Sequence, residues 1–242
     1  MRTLRFYMAS VSGEMTEFLL PEEVHRHAVQ VLRLKSGARI SLFDGQGQEF
    51  MVELIQVEKR QSSVRLIEPV AVDNESPLSI TLLQGISRGE RMDFAIQKAV
   101  ELGVKRIVPV VTERCSVQLN GERAQKRLKH WQGIIISACE QSGRAWLPEL
   151  SPVTDLPSLL EQHDDEMKLT LAPSSVQQFS TLQAAKSLSL LIGPEGGLSD
   201  QEEQLANNND FTSVQFGPRI LRTETAALAA LSVVQTLWGD MG

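Results

Sequence analysis

From Leu78 onward the hydrophobic period of the chain keeps switching, and that switching constrains the fold more than any other feature. Short apolar runs at 78–84, 106–111, 167–171, 188–192 and 213–216 read as strands. Between and after them, stretches at 87–102, about 122–141, near 156–162, 200–206 and 224–238 carry apolar residues at helical spacing. In the 87–102 stretch Met92, Ala95, Ile96, Ala99 and Leu102 fall on one helical face, and Gly103 closes it. Strands alternating with helices through short connections predict a parallel α/β sheet covered on both faces.

The first 70 residues follow a different rule. Residues 21–34 predict one amphipathic helix, with Glu22 and Glu23 in the first turn, where the helix dipole favours them, and Val24, Ala28, Val31 and Leu32 on the apolar face. Runs at 38–43 and 50–57 flank the turn Asp-Gly-Gln-Gly, and 62–67 adds a third strand, which predicts a small antiparallel sheet or barrel. Both periodicities break between Pro69 and Pro77, so the expected division is a domain at 1–72 and a second at 73–242.

With 242 residues, 42% of them apolar and 22% charged, the chain has enough core to fold without staples, and disorder or a fibrous structure is excluded. Cys115 and Cys139 are too few for a disulfide framework and lack metal-ligand spacing, which predicts reduced thiols in a cytoplasmic protein. His25 and His27 would point about 160° apart on a helix, so no metal site is expected there. No run approaches the ~18 apolar residues of a membrane span, and the charged N-terminus does not read as a signal peptide.

The net charge of −6 argues against a nucleic-acid partner until it is resolved along the chain. Residues 88–144 hold 11 basic and 6 acidic side chains, whereas 145–242 hold 4 and 13. The basic stretch is either a phosphate-binding surface or an ordinary solvated helical face.

Ligands of open parallel sheets sit at the carboxyl ends of strands, where two loops here are unusual. After the run ending at Ile192 come Gly193, Gly196 and Gly197 around Pro194 and Glu195, then Ser199 and Glu202 spaced as a capping box. The glycines would open the backbone to a close ligand, or simply make a turn; the loop is neither a P-loop nor the dinucleotide fingerprint. The second loop runs from Phe216 through Gly217 and Pro218 to Thr223, placed to cap the last helix. It carries Arg219 and Arg222, the only arginines after Arg144, which in so acidic a segment point to a site.

Gly-Pro-Glu-Gly-Gly at 193–197, followed by Leu-Arg-Thr-Glu-Thr-Ala at 221–226, resembles the paired signature of the ribosomal RNA small subunit methyltransferase E family, 16S rRNA (uracil-1498-N3)-methyltransferases of the SPOUT superfamily. Ser-Arg-Gly-Glu-Arg-Met at 87–92, Gln-Lys-Ala-Val-Glu-Leu-Gly-Val at 97–104, Glu-Arg-Cys at 113–115 and Ala-Cys-Glu-Gln-Ser-Gly-Arg at 138–144 are similar to it too, as is the layout of 1–70. The resemblance covers essentially the whole chain. It implies a SPOUT-type parallel sheet with a C-terminal deep trefoil knot, which general topology rules would argue against, preceded by a PUA-like β-barrel that helps hold RNA. It also implies a cytoplasmic homodimer, S-adenosyl-L-methionine (SAM) as cofactor, no metal, and 16S rRNA in the small ribosomal subunit as partner.

Carried onto this chain, the resemblance implies a cofactor pocket from three loops. These are Leu171, Ala172 and Pro173; then Ile192, Gly193, Pro194, Gly196 and Gly197; then Phe216, Gly217, Pro218, Ile220 and Leu221 with Thr223, Thr225 and Ala226. Methyl transfer from a sulfonium is an in-line displacement, so the protein must align the reactants and remove the uracil N3 proton. Arg219 or Arg222 is expected to stabilise charge developing on the uracil. Glu195 and Glu224 are the candidate bases, or else structural partners of helix N-terminal amides. RNA contacts are expected from Arg5, Arg88, Arg91, Lys98 and Arg144; Arg123, Lys126, Arg127 and Lys129 extend that patch or are solvated surface. Two other readings stay open: a noncatalytic RNA-binding ribosome-assembly factor, and a nucleotide hydrolase, against which the absent P-loop lysine speaks.

Overall fold

The computed structural model describes residues 3–117, 119, 121–161, 164–172 and 175–242. They form two units by packing: Met1–Glu75 with Cys139–Leu147, and Ser76–Ala138 with Pro148–Gly242. The first unit thus takes a segment, 139–147, that the sequence reading left in the second domain.

In the first unit β1 (Arg5–Tyr7), β2 (Glu17–Leu19), β3 (Arg39–Phe43), β4 (Glu49–Val57) and β5 (Ser62–Pro69) form one sheet in the order β1-β3-β4-β5-β2. The β1–β3 pair is parallel and the others are antiparallel. Two register shifts along β4 and β5 mark bulges, which bend a sheet and let its inner face close on a core. That core holds Phe6, Ile40, Leu42, Val52, Leu54 and Val64. The helix expected over 21–34 is different: α1 (Glu22–His25) passes directly into a π-helical segment, Arg26–Val31, where the Leu32 N–H reaches back to the His27 carbonyl. Widening the turn rotates the apolar stripe, so Val31 is 64% exposed instead of buried. Cys139 is buried and burial pushes its thiol up to about 11, as befits an inert thiol.

The second unit is the expected α/β structure. Strands β6 (Ser79–Gly85), β7 (Arg106–Val111), β8 (Glu149–Leu150), β9 (Thr154–Asp155), β10 (Met167–Leu171), β11 (Ser187–Ile192) and β12 (Thr212–Val214) pair only in parallel, in the order β12-β10-β11-β6-β7-β8, with β9 also on β7. The helices are α2 (Glu90–Glu101), α3 (Gly121–Ser142), α4 (Leu156–Leu160), α5 (Asp200–Asn208) and α6 (Thr223–Trp238). Leu156, Leu159 and Leu160 of α4 and Ala206 of α5 share a core with Leu83, Val108, Val110 and Leu191 of the sheet. Helix α6 packs on α2, and its fully buried Gln235 ties the pair by donating to the Leu102 carbonyl and accepting from the Ser76 hydroxyl.

Several boundaries differ from the sequence reading, and at three of them the local reason is visible. Helix α2 begins at Glu90 rather than Ser87 because Gly89 takes φ +57°. Strand β12 stops at Val214 because the Gln215 N–H turns to the Gln177 carbonyl and Phe216 packs edge-on against Phe179. Helix α6 starts at Thr223, with Arg222 in the capping position, so the expected Thr223 cap is not made.

Candidate active site

The chain runs outward along β6 to β7 and β8 and then returns on the other side with β10, β11 and β12, so the order reverses beside β6, where open sheets bind ligands. At this edge β6 ends in Gly85 and β11 in Ile192. A Cβ on Gly85 would lie 2.5 Å from the Pro194 nitrogen, and one on Gly193 would lie 2.9 Å from the Leu198 nitrogen. Glycine at both positions lets the loop after β11 fold back against the end of β6. Gly197 takes φ +69° and its N–H closes a turn on the Pro194 carbonyl. Ser199 and Glu202 form the predicted capping box at the start of α5, and the second Glu202 oxygen accepts the Glu113 N–H at 2.7 Å.

Thr223 stitches the loops together. Its hydroxyl donates to the Gly193 carbonyl at 2.6 Å and accepts from the side-chain amide of the fully buried Gln84 at 2.9 Å. The end of β6, the glycine loop and the first residue of α6 are therefore locked to one another.

The enclosed cleft has a volume of about 440 Å³, within the usual range for a small-molecule site. Of the expected cofactor-binding residues, Leu171 and Ala172 line it from β10, and Ile192, Gly193, Pro194, Gly196 and Gly197 from the loop after β11. Phe216, Gly217, Ile220, Leu221, Thr223 and Ala226 line it from the last loop and α6. Pro218 and Thr225 are not on its wall, and Pro173 lies outside the described residues. Sequence reasoning missed Arg114, Leu198 and Glu203, which also line the cleft. Arg114 donates to the carbonyls of Gly196 and Leu198 at 3.2 and 2.9 Å, holding the glycine loop from outside. Burial, and then the nearby Asp200, raise the Glu203 carboxyl above its ordinary value, while Arg114 opposes the shift.

The charged candidates separate by what they touch. Arg219 lines the cleft, and neither it nor Arg222 makes an ion pair or side-chain hydrogen bond among the described residues; Arg222 is exposed and off the cleft wall. Glu195 also faces the cleft, but one of its oxygens accepts the Arg88 N–H at 2.8 Å and the Arg91 guanidinium at 3.1 Å. Burial alone would raise this carboxyl; the Arg88 amide, its own amide and Arg91 outweigh burial and hold it below its ordinary value. A carboxylate so engaged is a weak base and a good strut. One Glu224 oxygen is buried without a partner among the described residues.

The expected RNA contacts divide as well. Arg88 and Arg91 are exposed on the loop before α2 and its first turn, and Lys98 is half-buried, paired with Glu101 at 2.6 Å and lying over the Phe94 ring. Arg5 and Arg144 are corrections. Arg5 grips both oxygens of Glu49 and caps the Cys139 carbonyl, and Arg144 grips both oxygens of Glu75; only 9% and 5% of their side chains are exposed. Buried cations of this kind are held by their partners and are not offered to a phosphate.

Among the described residues no group of three or more histidine, cysteine, aspartate or glutamate side chains could hold a metal, and no helix is long and apolar enough to cross a membrane. Residues 74–235 match the family described as RNA methyltransferase domain, and residues 20–67 match the RNA methyltransferase PUA domain. A Legionella pneumophila protein solved in complex with the cofactor SAM superposes with a TM-score of 0.96 at 40% identity, over 99% of this chain and 100% of that one. The ribosomal RNA small subunit methyltransferase E of Neisseria gonorrhoeae, bound to S-adenosyl methionine, gives 0.93 at 42% identity over the full length of both chains. The Buchnera aphidicola (subsp. Schizaphis graminum) protein of the same name is 36% identical over 88% of this chain and 87% of its own. An RNA methyltransferase with a PUA-like first unit and a parallel α/β second unit, the chain belongs to the ribosomal RNA small subunit methyltransferase E family.

Proposed function

We propose that this methyltransferase uses SAM to methylate uracil N3 at position 1498 of 16S rRNA in the small ribosomal subunit, acting in the cytoplasm as a homodimer. The observation that carries this reading is the convergence of the loops after β10, β11 and β12 on one cleft that also presents Arg219, without an ion pair among the described residues. The cleft suits SAM on its own chemistry: glycine loops leave backbone donors and acceptors for an adenosine edge, and the raised Glu203 carboxyl is a group that a cationic ligand would relieve. The relatives solved with SAM support the same assignment.

Bound there, the cofactor supplies an electrophilic methyl group. The cleft residues would bind and orient it, with the loops after β10, β11 and β12 excluding water. Arg219, the one of the two arginines that lines the cleft, would stabilise the negative charge that spreads onto the uracil as N3 loses its proton. Glu195 would act through Arg88 and Arg91 as a positioning residue rather than as the base.

We further propose that the last strands and α6 form a deep trefoil knot. In support, β12 lies at the sheet edge beyond β10, yet the chain that follows it returns so that Thr223 meets Gly193 at the end of β11. The dimer reading is supported by a groove of about 530 Å³ beside α6, in which Phe216, Leu221, Val233 and the exposed Leu237 stand among Gln178, Gln215 and Arg219.

The test is nucleoside mass spectrometry of 16S rRNA from cells lacking the gene. Loss of one N3-methyluridine, restored by the wild-type gene, is expected; an unchanged nucleoside profile, or a purified protein that binds no SAM, overturns the reading.

A further inference from the structure

A second cavity, of about 260 Å³, is lined by Arg88, whose N–H meets Glu195 of the SAM cleft, and nothing in the mechanism above uses it. Its floor is formed by Ile86 just after β6, Met92 of α2 and Trp131 of α3, each 1% exposed, so the apolar surface it offers is chiefly that of the half-buried Val117 and Leu119 at its side. Asp93 fixes that floor, accepting the Trp131 indole N–H at 3.2 Å while its other oxygen pairs with His130 at 2.8 Å. Ser87, Gly89 and two exposed cations, Arg88 and Arg127, complete the lining. Arg88 also reaches the Ser116 carbonyl at 3.4 Å, so it bridges the loop after β6 to the loop after β7.

An apolar slot with two guanidiniums selects a ligand with a flat, apolar body and an attached anion. At 260 Å³ it falls just under the ~300 Å³ at which whole-ligand pockets begin, a size for one nucleotide unit and not for a second cofactor. Its position adds to this. The N–H of Arg88, which lines the slot, is the donor that holds Glu195 of the SAM cleft, so slot and cleft are joined through this hydrogen bond. RNA read in single-stranded form offers splayed bases that pack on apolar or aromatic surfaces, with phosphates that pair with arginine.

We propose that this cavity is a nucleotide subsite. It takes the base of a nucleotide flanking the methylated one in the RNA strand, and Arg88 and Arg127 neutralise the adjoining phosphate. The inference rests on the RNA-methylation reading above and adds to it a fixed place for the neighbouring nucleotide.

The experiment is single-turnover methylation of unmethylated small ribosomal subunits with labelled SAM, titrating the particles. Arg127→Ala removes the phosphate partner and Leu119→Trp fills the slot. Each is expected to raise the half-saturating particle concentration about tenfold with the maximal rate and SAM affinity unchanged, and Arg127→Ala is expected to flatten the salt dependence by about one charge. Arg127→Lys should recover most of the loss. Titrations of both variants that overlay the wild type overturn the subsite, as does a fall in maximal rate at fixed half-saturation. If the wild type itself methylates no particles, the RNA-methylation reading fails and the subsite falls with it; wild-type activity with indifferent variants removes the subsite alone.

Discussion

In the first unit Arg5 and Arg144 lie almost wholly buried against Glu49 and Glu75, whereas in the second Arg219 and Arg222 stand in the loop after β12 with no ion pair among the described residues. All four carry the same charge. What differs is the partner: a desolvated guanidinium must be neutralised within the protein, while one left on an open cleft keeps its field for something that arrives. Segment charge hides this difference, because Arg144 counts toward the basic stretch of the sequence although Glu75, 69 residues earlier, cancels it in space. A charge count finds a footprint only after such internal pairs are removed.

Exchanging the roles of the two sets is the most direct way to break the comparison. Arg5→Ala leaves Glu49, itself 4% exposed, as a buried carboxylate without its guanidinium, and should cost about 3–5 kcal/mol of stability in urea unfolding. Arg219→Ala removes no ion pair or side-chain hydrogen bond among the described residues and should change stability by less than about 0.5 kcal/mol. It should instead slow single-turnover methylation about 10²–10³-fold, the cost of removing one group that stabilises transition-state charge. If Arg5→Ala is silent and Arg219→Ala unfolds the protein, the contrast between the two units is wrong.

A smaller effect is expected where the cleft is held together without charge. Thr223→Val keeps the shape of the side chain but takes the donor from the Gly193 carbonyl and leaves the Gln84 amide with the Gly85 carbonyl as its one acceptor among the described residues, beside an amide oxygen that already has no partner among them. Loss of about 1–3 kcal/mol is expected, together with weaker SAM binding in equilibrium dialysis, since Gly193 would no longer be pinned. Unchanged affinity would mean that the glycine loop holds its shape without α6.

Much of the cleft was legible in the sequence because its determinants are local. A run of glycines at the end of an apolar strand, a capping box after it and two arginines isolated in an acidic segment can all be read along the chain. Arg114 was not legible as a site residue, because it reaches the glycine loop from the loop after β7, more than 80 residues earlier, and Glu203 in the first turn of α5 was passed over because an acidic residue there reads as an ordinary partner of the helix dipole. The strands themselves were readable as apolar runs, but their order was not: nothing local says that β10 lies between β11 and β12. The widened turn after His25 was hidden for a related reason, since its i→i+5 bonding leaves the apolar spacing of 21–34 looking like that of an ordinary helix while turning Val31 outward.

The smallest expected effect concerns Glu195, which stands between the two kinds of charge, paired yet facing the cleft. Its carboxyl is held below the ordinary value in the folded chain: burial opposes this, but the Arg88 and Glu195 amides and Arg91 prevail. The folded state therefore binds this proton less readily than the unfolded state, so the stabilisation is complete above the unfolded carboxyl value and is lost as pH falls through the lower folded value. Because Glu195 keeps 24% of its side chain exposed and Arg91 45%, the gain at neutral pH should be no more than about 1 kcal/mol. Glu195→Gln should thus be slightly less stable than the wild type at neutral pH and should converge with it as the solution is acidified, read as urea midpoints between about pH 3 and 7. A strut predicts that methylation by this variant falls in step with weaker cofactor positioning, with its pH profile unshifted. Loss of the alkaline-rising limb of the rate with SAM affinity intact would make Glu195 the base instead, and would put its carboxylate to the same use as the open charge of Arg219.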